Sequence, residues 1–389
     1  MALPPALYRD PPPFAVQAQG HELTFYPGGK DRLDRLVALL DSAQASIRMC
    51  FYIFADDACG RLVLDRLLAA RARGVAVSLL IDSFGSARTS DAMFAPLRNA
   101  GCKYCCFSPR WNVRYLIRNH QKIVVIDEGV AMIGGFNVEK DYFAPPEANG
   151  WNDLALELTG PVVAQLVRWY DLVEKWTLSP KGAWKAIRRL VRAWNPGNGP
   201  VQLLLGGPTR GLSPWARAVS NDLVEGRRLD MIMAYFSPAV RLLARVGRIA
   251  KKGETRLLLA AKSDNGATIG ASRLLYGPLL KRGARIWEFS PCKLHTKLIV
   301  LDDAVYVGSA NFDMRSLYIN LEIMLRIEDA ALAERMRGFV GQHLPASLEI
   351  TRPLHRRRRT LLNRIRWTLS WFLVSVVDYT VSRRLNFGL

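Results

Sequence analysis

Histidine is scarce in this sequence: His21, His120, His295, His343 and His355 are the only five in 389 residues, so imidazole chemistry has few places to reside. Long apolar runs are absent as well. No stretch reaches the about 18 uninterrupted apolar residues of a membrane-spanning helix, so any membrane contact is expected to be peripheral. The six cysteines, Cys50, Cys59, Cys102, Cys105, Cys106 and Cys292, have no even spacing, and no secretory start precedes them. A small disulfide-stapled scaffold is excluded, and a reducing, cytoplasmic setting is expected. "CKYCC" at 102–106 has neither a second CxxC nor a nearby His to complete a tetrahedral metal set, so it reads as a buried strand. Acidic residues are in deficit, 34 Asp plus Glu against 54 Lys plus Arg, a formal charge of +20. That imbalance predicts attraction to a polyanion: nucleic acid, an anionic lipid surface or a phosphorylated substrate.

What is present is a sentence written twice. "NHQKIVVIDEGVAMIGGFN" at 119–137 returns as "LHTKLIVLDDAVYVGSAN" at 294–311, setting His120, Lys122, Asp127, Gly134 and Asn137 against His295, Lys297, Asp302, Gly308 and Asn311. An internal duplication follows. It extends upstream, where "GCKYCCFSP" at 101–109 lies against "GARIWEFSP" at 283–291 without a gap. Half the residues are hydrophobic, enough for two domains with substantial cores. "IRMCFYIF" and "VAVSLLID" are short runs of β-formers. Between them "GRLVLDRLLAARARG" carries apolar positions at helical spacing, with a Gly where the helix should stop. Alternating strands and helices predict an α/β fold of two similar halves, each a β-sheet flanked by helices. The expected segments are a first repeat over 22–172, a basic amphipathic insertion over 173–200, a second repeat over 201–345 and a basic amphipathic tail over 346–389.

Within each motif two strands are expected to form a hairpin, the second turn tighter by one residue. If His120 and Lys122 lie on a strand, their period of two puts both side chains on one face. Imidazole can serve as nucleophile or as general acid and base near neutral pH. Lys supplies fixed positive charge and Asn a neutral donor, a set suited to the non-bridging oxygens of a phosphodiester and to the charge that builds in its transition state. No Asp/Glu/His cluster with metal-site spacing accompanies them, so metal-free chemistry is expected. A reacting His needs an orienting partner on its other nitrogen. Asp153 of "WNDLALEL" in the first half and Glu322 of "YINLEIML" in the second are assigned that role. Asp127 and Asp302 are assigned to the turns, and Gly134, Gly135, Gly308 and Ser309 to the shape of the motif.

His-x-Lys-x4-Asp followed by Gly-Gly-x-Asn, and again by Gly-Ser-x-Asn, resembles the duplicated signature of the phospholipase D superfamily. The surrounding "RNHQKIVVID", "IGGFNV", "HTKLIVLDD", "GSANFDMRSLYINLE", "YIFADDACGRLVLDRL" and "DSFGS" are similar to the bacterial cardiolipin synthases of that superfamily, over residues 22 to 345. The resemblance implies one active site at the interface of the halves, no cofactor, and no need for a dimer. It implies a ping-pong transfer in which one His, His120 by family analogy, forms a phosphatidyl-histidine and the other handles the proton of the alcohols. Phosphatidylglycerol would be donor and acceptor, with glycerol released. Gly135 stands where many members carry Ser, and Asn152 where Arg is frequent, which puts a headgroup contact at 152 in question. The paired N-terminal spans of the longer synthases have no counterpart.

Two segments are candidates for lipid contact. "WKAIRRLVRAW" at 184–194 places Trp184, Ile187, Val191 and Trp194 on one stripe among Lys185, Arg188, Arg189 and Arg192. It suits either an anionic interface or an inter-domain helix. The C-terminal segment joins Arg356–Arg359 to the apolar run Trp367–Val377 and closes with Arg383 and Arg384. Peripheral association with the cytoplasmic face of the inner membrane is favoured over packing on the catalytic core or on a second copy of the protein. A nuclease, a hydrolytic phospholipase D and an inactive membrane scaffold are the competing readings. Intact motifs argue against the scaffold. Charge concentrated beside tryptophans and apolar runs argues against nucleic acid as partner.

Overall fold

In the computed structural model, residues 8–108, 117–179, 184–209 and 211–377 are described. The run at 76–82 has no polar alternation, and it becomes the strand Ala76–Asp82, buried from Val77 onward, as a strand covered on both faces must be. It lies parallel to Ser46–Phe51 and Lys103–Phe107. The crossover helix Ala58–Ala72 starts at Asp57, whose side chain accepts the Gly60 N–H, and the chain leaves it through Gly74 at φ +95°, a left-handed turn that suits glycine.

The first sheet runs Phe14–Ala18, His21–Tyr26, Ala155–Thr159, Val130–Gly134, Ile123–Ile126, Ser46–Phe51, Ala76–Asp82, Lys103–Phe107. The second runs Val201–Gly206, Glu322–Glu328, Ala304–Gly308, Lys297–Leu301, Arg228–Met233, Glu254–Ala260, Arg285–Phe289, Ser347–Glu349. From Ala155–Thr159 to Lys103–Phe107 the order and directions match those from Glu322–Glu328 to Arg285–Phe289. The duplication is thus a duplication of folded units. Strand Phe14–Ala18 precedes residue 22 and strand Ser347–Glu349 follows residue 345, so both sheets reach past the limits expected from sequence; their edge strands lie outside the duplicated text.

One face of each sheet is covered by its own helices. The other faces meet in a single shared core around the helices Val162–Leu178 and Ala330–His343. Trp169 is fully buried there and donates its indole N–H to Gln121 Oε1 at 2.7 Å. Gln121 sits between His120 and Lys122, so this contact ties the motif to the helix, and truncating such a tryptophan costs about 3–5 kcal/mol.

Two expectations are corrected and one open choice is decided. His120 and Lys122 precede the strand Ile123–Ile126 rather than lie in it. The backbone there leaves its own sheet because its partner is in the other half, where the His120 N–H bonds Leu321 O at 2.9 Å. The helix Trp184–Ala193 is an inter-domain helix. Ile187, Val191 and Trp194 are buried in the shared core and Trp194 Nε1 donates to Leu203 O at 2.8 Å, so these three residues are not open to lipid. The expected tail begins inside the second sheet, since Ser347–Glu349 pairs with Arg285–Phe289. Beyond it, helices Arg352–Arg358 and Leu361–Trp371 pack back on helix Gly266–Lys281 through the buried Trp367. Arg383 and Arg384 lie outside the described residues. Among those described, no helix is long and apolar enough to cross a membrane.

Candidate active site

Each motif's apolar hairpin is closed at its far end by an aspartate. Asp127, itself at φ 50°, accepts the backbone N–H groups of Gln44, Ala45 and Ser46 at 2.7–2.9 Å. Asp302 accepts those of Arg227 and Arg228 at 2.8–3.2 Å across a two-residue turn. These carboxylates are spent on the backbone at the end of the strand away from the histidines, with the first turn one residue longer.

At the near end the halves exchange partners. His120 Nδ1 lies 3.0 Å from Glu322 Oε1, and His295 Nδ1 lies 2.7 Å from Asp153 Oδ2. The backbone crosses likewise: His120 N–H bonds Leu321 O, and His295 N–H bonds Asn152 O at 2.7 Å. Each histidine is therefore gripped, ring and backbone, by a carboxylate residue and its predecessor in the other half. The sequence assigns one orienting carboxylate to each half; the structure pairs it with the histidine of the opposite half. A carboxylate on Nδ1 fixes that nitrogen as the proton carrier and turns Nε2 to the site. Strand Lys293–Leu294 pairs with Trp151–Asn152, a further seam between halves.

Lys122 donates its ammonium to His120 O at 2.7 Å and Lys297 to His295 O, which folds each lysine back beside its histidine. Both are buried. Burial draws Lys122 down to about 7, with Lys297 pressing it further, and burial draws Lys297 to about 8 against the pull of Asp153 and Glu322. Burial, then Lys122 and Lys297, pushes His120 well below its ordinary value. Burial and Lys297 take His295 to about 3, so both imidazoles are held neutral by their surroundings. Burial lifts Glu322 to about 7 despite Lys122 and the hydroxyls of Ser309 and Ser316. Asp153 is held below the ordinary carboxylate range, because His295, Lys297 and Arg32 outweigh its burial.

Asn137 is buried and accepts the Ile53 N–H at 3.1 Å. Asn311 is also buried, and its Oδ1 has no protein partner among the described residues. A Cβ at Gly135 would lie 2.5 Å from Asp153 Oδ1, so glycine is what lets this carboxylate in, whereas Ser309 at the equivalent place donates to Glu322. Gly134 and Gly308 allow the adjacent strands to approach closely. Asn152 does not face a headgroup: its side chain is buried and bonds Tyr8, Asp10 and Thr296.

Several residues at the site escape sequence reasoning. Tyr52 stands edge-on to His120 at 4.9 Å, and Tyr142 and Trp151 flank His295 at 5.0 and 5.2 Å. Arg32 is fully buried and donates to the carbonyls of Asp153, Tyr142 and Trp151 at 2.6, 2.7 and 3.1 Å, clamping the strip that holds Asp153. Asp82, lifted by burial to about 6, accepts the N–H groups of Phe84, Gly85 and Asn119, the residue before His120. Trp151, next to the "ND" already singled out, carried a usable signal. Arg32, in an unremarkable first helix, carried none. Tyr52, Tyr142, Trp151 and Lys293 line a cleft of about 1410 Å³ beside the histidines.

The family model described as "Cardiolipin synthase, PLD-like domain" matches residues 36–171 and 225–343. Cardiolipin synthase A of Pseudomonas putida (strain GB-1) is 30% identical over 332 residues, 83% of this chain and 68% of its own. Cardiolipin synthase B of Salmonella typhimurium (strain LT2) is 29% identical over 328 residues, covering 82% of this chain and 79% of its own. The crystal structure of phosphatidylserine synthase from Haemophilus influenzae Rd KW20 superposes with a TM-score of 0.69 at 16% identity, covering 96% of this chain and 97% of that one. This last likeness shows the fold.

Proposed function

Because the chain belongs to the family of cardiolipin synthases with phospholipase D-like domains, we propose that it is a phosphatidyltransferase joining two phosphatidylglycerol molecules into cardiolipin, with release of glycerol. The observation that carries the reading is the crossed pair of histidines, each oriented through Nδ1 by a carboxylate of the other half and each with its own buried lysine beside it.

The phosphodiester anion sits against Lys122 and Lys297, and its charge restores the protonation that burial had taken from the site. His120 Nε2 attacks phosphorus while the bond to the glycerol oxygen breaks, and His295, protonated in the complex, gives its Nε2 proton to that oxygen. A phosphatidyl-His120 intermediate and glycerol result. The hydroxyl of a second phosphatidylglycerol then loses its proton to His295 and attacks phosphorus, and the P–N bond breaks. Asn137 and Asn311 complete the phosphate cradle, and no metal or other cofactor takes part. One chain holds the whole site, so the chemistry needs no second copy.

The chain is proposed to work at the cytoplasmic face of the inner membrane without crossing it. Support comes from the C-terminal helices, where Leu361 and Leu362 are 74% and 80% exposed and Ile365, Leu369, Phe372 and Leu373 about half exposed. Arg356, Arg357, Arg359, Arg364 and Arg366 are exposed alongside. Such a face loses little by entering an anionic interface and gains its apolar burial.

The test is incubation of the purified protein with phosphatidylglycerol vesicles, without added metal, and mass spectrometry of the lipids. Cardiolipin with glycerol is expected. Phosphatidic acid alone would make the protein a hydrolase, and no lipid turnover would overturn the reading in favour of another phosphodiester.

A further inference from the structure

A second cavity, of about 620 Å³, lies between helix Gly266–Lys281, the end of strand Arg285–Phe289 and the C-terminal helices. Its walls are of two kinds. Ile269, Leu348 and Trp367 make an apolar side; Arg273, Arg358 and Arg366 make a cationic one. The cavity holds one carboxylate, Glu288, buried and shared by Arg273 at 2.7 Å and Arg358 at 3.0 Å. Three guanidinium groups against one carboxylate leave the cavity cationic, and Arg366 has no carboxylate partner among the described residues. Arginine in excess beside an apolar wall matches a phosphate carried on a hydrocarbon.

Position points the same way. Arg358, Asn363, Arg366 and Trp367 all come from the segment whose outer face bears the exposed leucines. The loop 261–266 is a partition: Ala261 and Gly266 line this cavity, while Asp264 lines the cleft beside the motif histidines.

We propose that this cavity is a second, non-catalytic site that takes the phosphate of an anionic phospholipid from the bilayer. It rests on the bilayer contact proposed above, and it adds a discrete seat to what would otherwise be diffuse attraction. Occupied, it fixes the C-terminal helices to the membrane next to the cleft, so that the cleft faces its lipid substrates.

Arg364 provides the control, because it is exposed on the same helix but does not line the cavity. Binding is read by flotation with vesicles of equal parts phosphatidylcholine and phosphatidylglycerol. Arg364→Ala removes one surface charge and is expected to lower the partition coefficient about fivefold. Arg366→Ala is expected to lower it several times more. Ile269→Trp, which fills the cavity and removes no charge, should lower it as well. Turnover of dispersed short-chain phosphatidylglycerol should stay unchanged in all three. Equal losses for Arg364→Ala and Arg366→Ala, or no loss with Ile269→Trp, would overturn the seat and leave the bilayer contact standing. Failure of the unaltered protein to float would overturn both. Neither result bears on the transfer chemistry, which is read separately.

Discussion

Asp153 and Glu322 occupy equivalent places across the interface, each on the Nδ1 of the other half's histidine, yet Asp153 lies below the ordinary carboxylate range while Glu322 is lifted to about 7. The difference has a local cause. Asp153 faces Arg32 as well as Lys297 and His295, and Gly135 leaves room for it. Glu322 is drawn down by Lys122, by two serine hydroxyls and by Lys297, and these offset less of its burial. A duplicated motif therefore yields two unequal pairs. One carries a carboxylate that stays ionised and suits a histidine that must accept a proton; the other carries a carboxylate near neutrality and suits a histidine that must stay uncharged to attack. That division agrees with His120 as nucleophile and His295 as acid and base.

The largest effect comes from removing either imidazole. His120→Ala and His295→Ala should each lose at least about ten-thousandfold in kcat, since groups that act as a unit fail as a unit. Mass spectrometry of acid-quenched protein separates them: a phosphatidyl adduct on His120 should form slowly in His295→Ala and no adduct in His120→Ala. An adduct on His295 would invert the comparison.

Next come the carboxylates. Asp153→Asn should cost up to about ten-thousandfold in kcat, as expected when an ionised orienting carboxylate is lost. Glu322→Gln should cost roughly a hundredfold or less, because a neutral side chain there resembles the form that burial already favours. Equal losses would erase the distinction drawn between the pairs.

A smaller and pH-dependent effect belongs to the lysines. A lysine is charged below its pKa, so the cradle's positive charge is complete at low pH and is lost as pH rises through about 7 for Lys122 and about 8 for Lys297. On dispersed phosphatidylglycerol, kcat/KM should fall above that window. Lys122→Arg, whose guanidinium stays charged, should retain activity to higher pH where the longer side chain is accommodated. A flat alkaline profile in the unaltered protein would contradict the role given to these charges.

The smallest change is expected from Ser309→Ala, which removes one donor from Glu322 and should cost about 1.5–3 kcal/mol in unfolding free energy, measured by denaturant titration. Gly135→Ser tests the converse. Rather than copy Ser309, it should displace Asp153, whose Oδ1 would lie 2.5 Å from the new Cβ, and impair the His295 pair alone.

Local signals made much of the fold legible. Apolar runs of strand length, a helix closed at Gly74 and a turn aspartate in each motif are matters of neighbouring residues, and the repeat made each half a check on the other. The sequence leaves 184–194 open between an anionic interface and an inter-domain seat because an amphipathic helix shows that one face is apolar and not what covers it; the shared core covers Ile187, Val191 and Trp194 here. Arg32 was invisible because its acceptors are backbone carbonyls, which leave no trace in side-chain pattern.

The sequence by itself determined the duplicated units, the residue types of the site and their spacing, since these depend on periodicities and turns within a few residues. Only the tertiary structure decided which carboxylate serves which histidine. The partners are 202 and 142 residues apart along the chain and meet across two sheets, and the same burial that brings them together sets the charge on each.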